Sequence, residues 1–250
     1  MLLPHCLDNV TVLVGSLDRY SGAWLPFCHG WRKYWSDCPW PMKFITNRKI
    51  APCGESLMVG GDRDFSANTK RALDKIETPI ILWTQEEHWL TAPPDEAALA
   101  DFAEIVLGGG ADHIRLSSGW KGKVRAKGAY GLDSRLLVFT DDSAYRTAAQ
   151  MAFWNVEVFR ALLRPGESVW EFEVAGSRRS KHYADRFLCV REHKYVRYVL
   201  NTKDDTYKSP YDEGPITKGK WTAAAKRYAR EEGLTVDFSR NPDGTMAGKV

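Results

Sequence analysis

The sequence has no long hydrophobic run and little cysteine. None of its apolar stretches approaches the roughly 20 residues that a membrane-spanning helix needs. The amino terminus also has no basic flank before a long apolar segment, so we predict neither a transmembrane helix nor a signal peptide. The five cysteines (Cys6, Cys28, Cys38, Cys53 and Cys189) form no CxxC pair, and their odd number argues against a complete disulfide framework. We therefore expect a reduced, cytoplasmic setting.

The chain also lacks a strong excess of either charge. Its formal net charge is +3 and its pI is near 8.5, whereas a nucleic-acid-binding domain is expected to exceed a pI of about 9. The 44% hydrophobic and 27% charged content is ordinary for a folded domain, and 250 residues can bury one substantial core. Tryptophan is abundant, with ten residues. We interpret these as core and subunit contacts, with a sugar- or base-stacking surface as the alternative.

Strands and helices alternate through the first half of the sequence, and later strands cluster. Predicted strands cover residues 10–17, 42–46, 56–59, a stretch from 80 onward, 111–116, 136–140, 186–190 and 195–199. Predicted helices cover residues 24–35, 68–76 (capped by Ser66), 95–107, 155–163, 167–175 and 221–232, and residues 117–135 form a loop or small hairpin. No repeat or linker divides the chain. We predict a single α/β domain over residues 1–240 and a loose tail over 241–250.

The stretch that begins at Ile80 carries the clearest functional signal. An apolar run leads into Gln85-Glu86-Glu87, and such buried strands deliver functional groups at their carboxyl ends. Two adjacent carboxylates are costly there unless a cation offsets their charge. A hard divalent cation is the usual partner of clustered oxygens, and it would in turn hold a diphosphate.

Other polar side chains follow the first and third predicted strands. In an alternating α/β fold the ends of these strands meet at one edge of the sheet, where ligands bind. Taken singly, each residue is more often a cap or a surface group, but together they indicate a site. The predicted edge carries Ser16, Asp18, Arg19, Asp62, Arg63, Asp64, Glu86 and Glu87.

Two later segments combine acidic or basic residues with aromatic ones. Glu171 and Glu173 cannot share a helical face, so one can point into a pocket beside aromatic residues, where a raised pKa suits a general base. Arg178 and Arg179 follow in a Gly-Ser-Arg-Arg-Ser run that could bind phosphate; a solvated basic helix end is the alternative.

The second segment is a basic turn before a helix, formed by Lys218, Lys220 and Trp221. Such a turn can hold a diphosphate, and a charged surface loop is the alternative.

Several short motifs follow one another over most of residues 10–232. They are Tyr20-Ser21 with Trp24, Pro26 and Phe27; Tyr34-Trp35-Ser36-Asp37-Cys38-Pro39; Gln85-Glu86-Glu87; Trp154-Asn155; Pro165-Gly166-Glu167-Ser168; Trp170-Glu171-Phe172-Glu173; Gly176-Ser177-Arg178-Arg179-Ser180; and Lys218-Gly219-Lys220-Trp221. In this order they resemble a family of viral and bacterial glycosyltransferase-like proteins. The resemblance implies the GT-A fold, a Rossmann-type mixed sheet flanked by helices that binds nucleotide sugars.

The resemblance also implies an activity and a cofactor. A sugar would pass from a nucleotide-sugar donor to a glycan or another hydroxyl acceptor by direct displacement, in the cytoplasm (of a bacterial host if the protein is viral). Mn²⁺ or Mg²⁺ would bridge the diphosphate. The family's Asp-x-Asp metal motif falls at Gln85-Glu86-Glu87, a departure from the pattern that makes Glu87, and then Glu86, the expected ligands.

The resemblance distributes the remaining roles over the other candidate residues. The nucleotide would lie over Ser16, Asp18 and Arg19, with Asp62 and Arg63 near the base or ribose. Glu171, or failing that Glu173, would deprotonate the acceptor hydroxyl. The departing diphosphate would be stabilised by Arg178, Arg179, Lys218 and Lys220, with Trp221 beside them.

Two alternatives remain open at the level of sequence. A DNA-modifying glycosyltransferase could grip a phosphate backbone with basic residues and stack a hydroxylated base with flanking aromatic ones; the candidates are Lys121, Lys123, Arg125 and Lys127, flanked by Trp120 and Tyr130. A catalytically idle sugar- or nucleotide-binding module is also compatible with the missing Asp-x-Asp, since fold alone does not fix function.

Overall fold

A large mixed sheet forms the centre of the computed structural model, which describes residues 8–118, 125–199, 211 and 213–246. Nine strands of these residues form the sheet. They lie in the order β3 (Glu55–Met58), β2 (Met42–Thr46), β1 (Val10–Gly15), β4 (Ile80–Gln85), β8 (Ala152–Asn155), β5 (His113–Arg115), β9 (Phe187–Val190), β7 (Asp133–Phe139) and β6 (Ala126–Tyr130). The predicted α/β fold is confirmed.

The first half of the sheet is parallel, and its strand order reverses at β1. The chain runs outward from β1 to β2 and β3 and then returns to β4 on the other side of β1. All six residues of β1 are buried, as expected for a strand with helices on both faces. Such a reversal opens a crevice beyond the carboxyl ends of the two central strands, which is where open α/β sheets bind ligands.

The second half of the sheet is mixed. Strand β8 runs antiparallel to both β4 and β5, so β5 points in the same direction as β4, and β9 is parallel to β5. The antiparallel hairpin of β6 and β7 forms the outer edge. The carboxyl ends of β5 and β9 therefore lie on the same edge as those of β1 and β4.

Helices cover both faces of the sheet. The α-helices of the described residues are α1 (Trp24–Tyr34), α2 (Phe65–Leu73), α3 (Glu96–Leu107), α4 (Val156–Leu162), α5 (Val169–Arg179) and α6 (Ala223–Glu231). Two 3-10 helices, Asp18–Ala23 and Ser180–Arg186, accompany them. Side chains alternate along β1: Val12 and Val14 pack with α1, α3 and α6, whereas Leu13 packs with α2, α4 and α5. The two resulting cores hold the sheet between two layers of helices.

The structure differs from the sequence-based prediction at several elements. Strand β8 was not predicted, because a strand of four residues, three of them buried, is too short to show a periodicity of its own. The predicted strand at 195–199 is wrong: in this stretch Tyr198 forms only an isolated bridge with Leu90. The predicted cap Ser66 is also wrong, since it lies inside α2, whose first turn is capped by the Asp64 side chain.

The cysteines also differ from expectation. Cys28 in α1 and Cys53 just before β3 form a disulfide, with their Cα atoms 5.8 Å apart. This pairing contradicts the expected reduced state of these two residues. Cys38 and Cys189 are free thiols, and Cys6 lies outside the described residues. Among the helices described, none has the length and apolar character that crossing a membrane requires.

Candidate functional site

A pocket of about 340 Å³ lies beyond the carboxyl ends of β1 and β4, at the reversal of strand order. We call it the edge pocket. It contains several residues that were predicted to share this edge, together with the start of α5. Its lining includes Ser16, Arg19, Tyr20, Asp62, Arg63, Asp64, Phe65, Asn68, Trp83, Glu86, Gly166, Ser168, Trp170 and Glu171.

The floor of the edge pocket is apolar and closely packed. The Phe65 and Trp83 rings meet edge to face with centroids 5.8 Å apart, and Ile45 lies beside them. At Gly15 a Cβ atom would come within 2.4 Å of the Trp83 ring. The end of β1 therefore requires glycine, since any side chain there would displace the aromatic floor.

Asp18 and Arg19 are adjacent in sequence but have different roles. The Asp18 carboxylate accepts hydrogen bonds from the backbone N–H groups of Asn47, Arg48 and Lys49 at 2.8 to 3.0 Å, so it fixes the loop after β2. Asp18 does not line the edge pocket. Arg19 does, and its guanidinium lies 3.7 Å from the Asp62 carboxylate.

Arg19 lines both the edge pocket and a second cavity of about 360 Å³. Asp18, Trp221 and Asp243 contribute to the second cavity. Asp243 belongs to the predicted loose tail, where Asn241 donates a 2.7 Å backbone hydrogen bond to Thr245. Residues 247–250 lie outside the described residues.

The loop after β3 supplies the second wall of the edge pocket. Asp62 accepts a 3.0 Å hydrogen bond from the Asn68 amide, and Asp64 accepts one of 2.8 Å from the backbone of Ala67 as the cap of α2. Asp62 and Arg63 therefore lie in the pocket, as predicted, on a loop that the start of α2 holds in place.

Glu86 is buried at the end of β4. Burial and, to a smaller extent, the neighbouring Glu87 raise the pKa of its carboxyl to about 8. Ser16 connects this carboxyl to the core: its hydroxyl accepts a 2.7 Å hydrogen bond from the Trp24 indole and is hydrogen-bonded to Glu86. The ends of β1 and β4 are thus joined through Ser16 and Glu86.

Glu87 faces a third carboxyl from α5. Burial raises the pKa of Glu87 to about 7, and repulsion from Glu173 contributes. Burial also raises the pKa of Glu173. A 2.8 Å hydrogen bond from the Ala149 backbone N–H and the positive charge of Arg115 both lower this pKa, but burial outweighs them. Glu87 therefore interacts electrostatically with Glu86, its neighbour after β4, and with Glu173 of α5.

The acidic groups fit a cation that is completed by substrate. Within the described residues no group of three or more His, Cys, Asp or Glu side chains could hold a metal ion by itself. Glu86 is nevertheless buried and the adjacent Glu87 half-buried, and a divalent cation would offset the cost of their negative charge. Mg²⁺ is usually bound by one or two carboxylates together with substrate phosphates.

Glu171 is placed differently from Glu173, as the rule for helical faces predicts. It lies at the rim of the edge pocket and forms a capping box with Ser168. Its carboxylate accepts 2.7 Å hydrogen bonds from the backbone N–H and the hydroxyl of Ser168, and these bonds lower its pKa. Of the two candidate bases, only Glu173 has a raised pKa.

The predicted phosphate-binding arginines lie at the far end of α5. Arg179 donates two hydrogen bonds of 2.7 Å to the carboxylate of Glu167. Arg178 is exposed and lines a separate surface depression with Asp141 and Asp142. Neither arginine lines the edge pocket.

The predicted basic turn before the last helix is a β-hairpin. Strands β10 (Ile216–Thr217) and β11 (Lys220–Trp221) are joined through Lys218 and Gly219, whose positive φ angles of 51° and 74° suit a two-residue hairpin turn. The segment leads into a helix, as predicted, but α6 begins at Ala223 after the Thr222 cap rather than at Trp221. Lys218 and Lys220 are exposed and outside the edge pocket.

The basic stretch considered for DNA binding is only partly described, since Trp120, Lys121 and Lys123 lie outside the described residues. Arg125 is paired with Asp142 at 2.7 Å, and Lys127 with Asp185 at 2.6 Å. The Tyr130 hydroxyl donates a hydrogen bond to the backbone carbonyl of Gly110. In the described part, these basic groups are engaged by carboxylates of the same chain.

Sequence reasoning missed the aromatic and amide components of the edge pocket: Phe65, Asn68, Trp83 and Trp170. For Trp83 a signal exists, because alternation along β4 puts it on the opposite face from Leu82. For Trp170 none exists in the sequence, since its exposure depends on how α5 is oriented.

Comparisons with known proteins support the fold. No protein-family model and no curated protein matches the chain. Similar solved structures include S. aureus TarS 1–349 in complex with UDP (11% identity, TM-score 0.50, 77% of this chain and 60% of that chain). Others are S. aureus TarS 1–349 (12%, 0.49, 75% and 59%) and the bifunctional IspDF from Campylobacter jejuni (9%, 0.45, 76% and 52%).

At these identities the likeness establishes the fold alone. This chain spans about 60% of the length of the TarS fragment that was solved with UDP. The mixed sheet with flanking helices is thus a fold that this chain shares with a UDP-binding protein, and the edge pocket lies where such sheets bind ligands.

Proposed function

We propose that the protein is a glycosyltransferase that moves a sugar from a nucleotide-sugar donor to a hydroxyl of a glycan or another acceptor. The observation that carries this proposal is the edge pocket, which joins an apolar floor to Ser16, Arg19, Asp62 and Glu86 at the reversal of strand order. The shared fold with the UDP complex of TarS supports it.

The donor would occupy the edge pocket. Arg19, Asp62 and Arg63 would contact the nucleotide from the walls, since Arg19 offers a planar set of N–H donors and Asp62 accepts from hydroxyl groups. Glu86 and Glu87 would hold Mn²⁺ or Mg²⁺ together with the diphosphate oxygens. Such a cation neutralises the charge that develops on the leaving diphosphate.

Glu173 is the proposed general base for the acceptor hydroxyl. Its carboxyl accepts a hydrogen bond from the Ala149 N–H and interacts electrostatically with Glu87, one of the two proposed cation ligands. Glu171, by contrast, already accepts two hydrogen bonds as a helix cap. Positioned proton transfer of this kind contributes about 10²- to 10⁴-fold to a rate.

The first test is thermal stability against UDP, ADP, GDP, CDP and a panel of nucleotide sugars, each with and without Mn²⁺. A ligand at a hundredfold excess over its dissociation constant stabilises the folded state by about 2.7 kcal/mol. We expect a metal-dependent shift with one nucleotide family, which Glu87→Gln abolishes. Glu171→Gln is the matched control, since glutamine keeps the capping box and the shift.

Turnover separates an enzyme from an idle binding module. A donor that shifts the melting temperature should also be consumed when saccharide acceptors are supplied, and Glu173→Gln should remove this activity without removing the shift. Binding without consumption of any donor would favour the idle module. No shift with any nucleotide or nucleotide sugar would overturn the proposal.

A further inference from the structure

Trp170 lies at the rim of the edge pocket with 70% of its surface exposed. It is the second residue of α5, two positions after the Ser168 cap. An indole offers a large flat apolar face, and most large aromatic side chains of this protein are buried. Its exposure at the mouth of a pocket therefore calls for an explanation.

The backbone that carries Trp170 is firmly placed. The Glu167 carbonyl accepts a 3.2 Å hydrogen bond from the Ser66 N–H, which ties the start of α5 to the start of α2. One position beyond Glu171, Phe172 is buried and its ring lies 5.5 Å from that of Phe65. The indole is thus presented to solvent from a fixed helical turn that borders the pocket floor.

The surroundings of Trp170 on α5 do not form an apolar patch that would suit a protein partner. The other exposed large hydrophobic residue of the helix, Val174, lies one turn away. It lines the separate depression that contains Asp141 and Arg178. The exposed aromatic face is therefore of the size of a single ring and opens towards the edge pocket.

We propose that Trp170 is the stacking platform for the nucleobase of the donor, an inference that rests on the proposed function. A base stacked on the indole at the rim would present its polar edge to the pocket wall, where Asp62, Asn68 and Arg63 offer acceptors and donors. Its ribose and diphosphate would extend towards Ser16 and Glu86. Stacking on an aromatic side chain is worth about 1–3 kcal/mol per base.

The test compares one ligand that has a base with one that has none. Isothermal titration calorimetry in the presence of Mn²⁺ measures the affinity for UDP and for inorganic pyrophosphate. The proteins compared are the wild type, Trp170→Ala, Trp170→Phe and Val174→Ala. If the protein binds ADP, GDP or CDP instead of UDP, that nucleotide is used. We expect Trp170→Ala to lose about 5- to 150-fold in nucleotide affinity, the equivalent of 1–3 kcal/mol. Pyrophosphate affinity should stay unchanged. Trp170→Phe should retain most nucleotide affinity, and Val174→Ala all of it.

The outcomes separate this inference from the proposed function. If the wild type binds a nucleotide and Trp170→Ala binds it equally well, the stacking role is overturned while the function stands. Equal losses for nucleotide and pyrophosphate would place Trp170 at the phosphates and also overturn it. If the wild type binds no nucleotide at all, both proposals fail. Because Trp170 is exposed, its variants are expected to fold, and their melting temperatures check this.

Discussion

Arg179 and Glu167 form a two-pronged ion pair across the length of α5, with both hydrogen bonds at 2.7 Å. The side chains are largely shielded, being 24% and 17% exposed. Glu167 belongs to the loop that leads into the edge pocket, and its backbone carbonyl also holds the start of α2. The arginine that the sequence assigned to a diphosphate is therefore placed to position the pocket wall.

This pair predicts matched effects for two different substitutions. Arg179→Met and Glu167→Gln should each raise the KM for the donor about tenfold with little change in kcat, since both loosen the wall rather than the reacting groups. Each should also lower the free energy of unfolding by about 1–3 kcal/mol, because a shielded polar partner is left alone. Steady-state kinetics and denaturant unfolding measure both quantities.

The double variant distinguishes a positioning role from a direct one. If Arg179 acts through Glu167, Arg179→Met combined with Glu167→Gln should be no worse than either single change, because both remove the same interaction. If Arg179 contacts the diphosphate, its substitution should lower kcat while Glu167→Gln leaves kcat unchanged. That pattern would contradict the positioning role.

Glu171 and Glu173 allow a comparison of two identical chemical changes two residues apart. Glu173→Gln should lower kcat by about 10²- to 10⁴-fold with an unchanged donor KM, because it removes the proposed base. Glu171→Gln should leave kcat within about twofold, since glutamine can replace glutamate in a capping box. Transfer assays at saturating donor measure both. The reverse order of effects would assign the base to Glu171.

The sequence predicted which residues lie at the sheet edge better than it predicted which distant side chains contact one another. Ser16, Asp62 and Glu86 were predicted to meet because each follows a strand, and strand direction alone brings them together. Lys218 and Lys220 were misplaced because a two-residue hairpin turn depends on the local backbone at Gly219 rather than on charge.

Pairing between distant residues has no local signature, which explains the remaining differences. The partner of Arg179 could not be read from a basic run, because the ion pair depends on how α5 meets the loop before it. The Cys28–Cys53 disulfide was missed for the same reason: an odd cysteine count says nothing about which side chains the fold brings together.

The disulfide predicts a redox-dependent stability. It closes a loop with a sequence separation of 25 residues, for which chain entropy gives about 3.5 kcal/mol. Cys53→Ala should therefore lower the melting temperature by roughly 7–14 °C in oxidising buffer. Reductant should lower the wild type to the same value and leave the variant unchanged, as differential scanning calorimetry can show.

Cys38 provides the control for the disulfide. Burial raises the pKa of its thiol to about 12, so it is expected to be unreactive, and Cys38→Ala should behave like the wild type in both buffers. Labelling of the denatured chain should find two more free thiols after reduction than before. A wild type that is insensitive to reductant and labels fully without it would show that the two cysteines are not bridged.

Glu232 links the end of α6 to α1 through three donors. Its carboxylate accepts hydrogen bonds from His29 at 2.8 Å, Lys33 at 2.7 Å and Tyr34 at 2.9 Å. Burial raises the pKa of this carboxyl, but the hydrogen bonds outweigh burial and leave the pKa below its ordinary value. The ionised form is therefore the one that stabilises the packing of the two helices.

Glu232→Gln should destabilise the protein in a pH-dependent way. Because the folded-state pKa lies below the ordinary value of 4.5, the ionised carboxylate stabilises the fold fully above that value, and this contribution is lost as the pH falls through the folded-state pKa. At pH 7 we expect a loss of about 1–3 kcal/mol, which shrinks as the pH falls below about 4. Urea unfolding across this range measures it. Glu157→Gln in α4, where the glutamate side chain is 81% exposed, is the control. A loss for Glu232→Gln that is constant with pH would contradict the role of the ionised carboxylate.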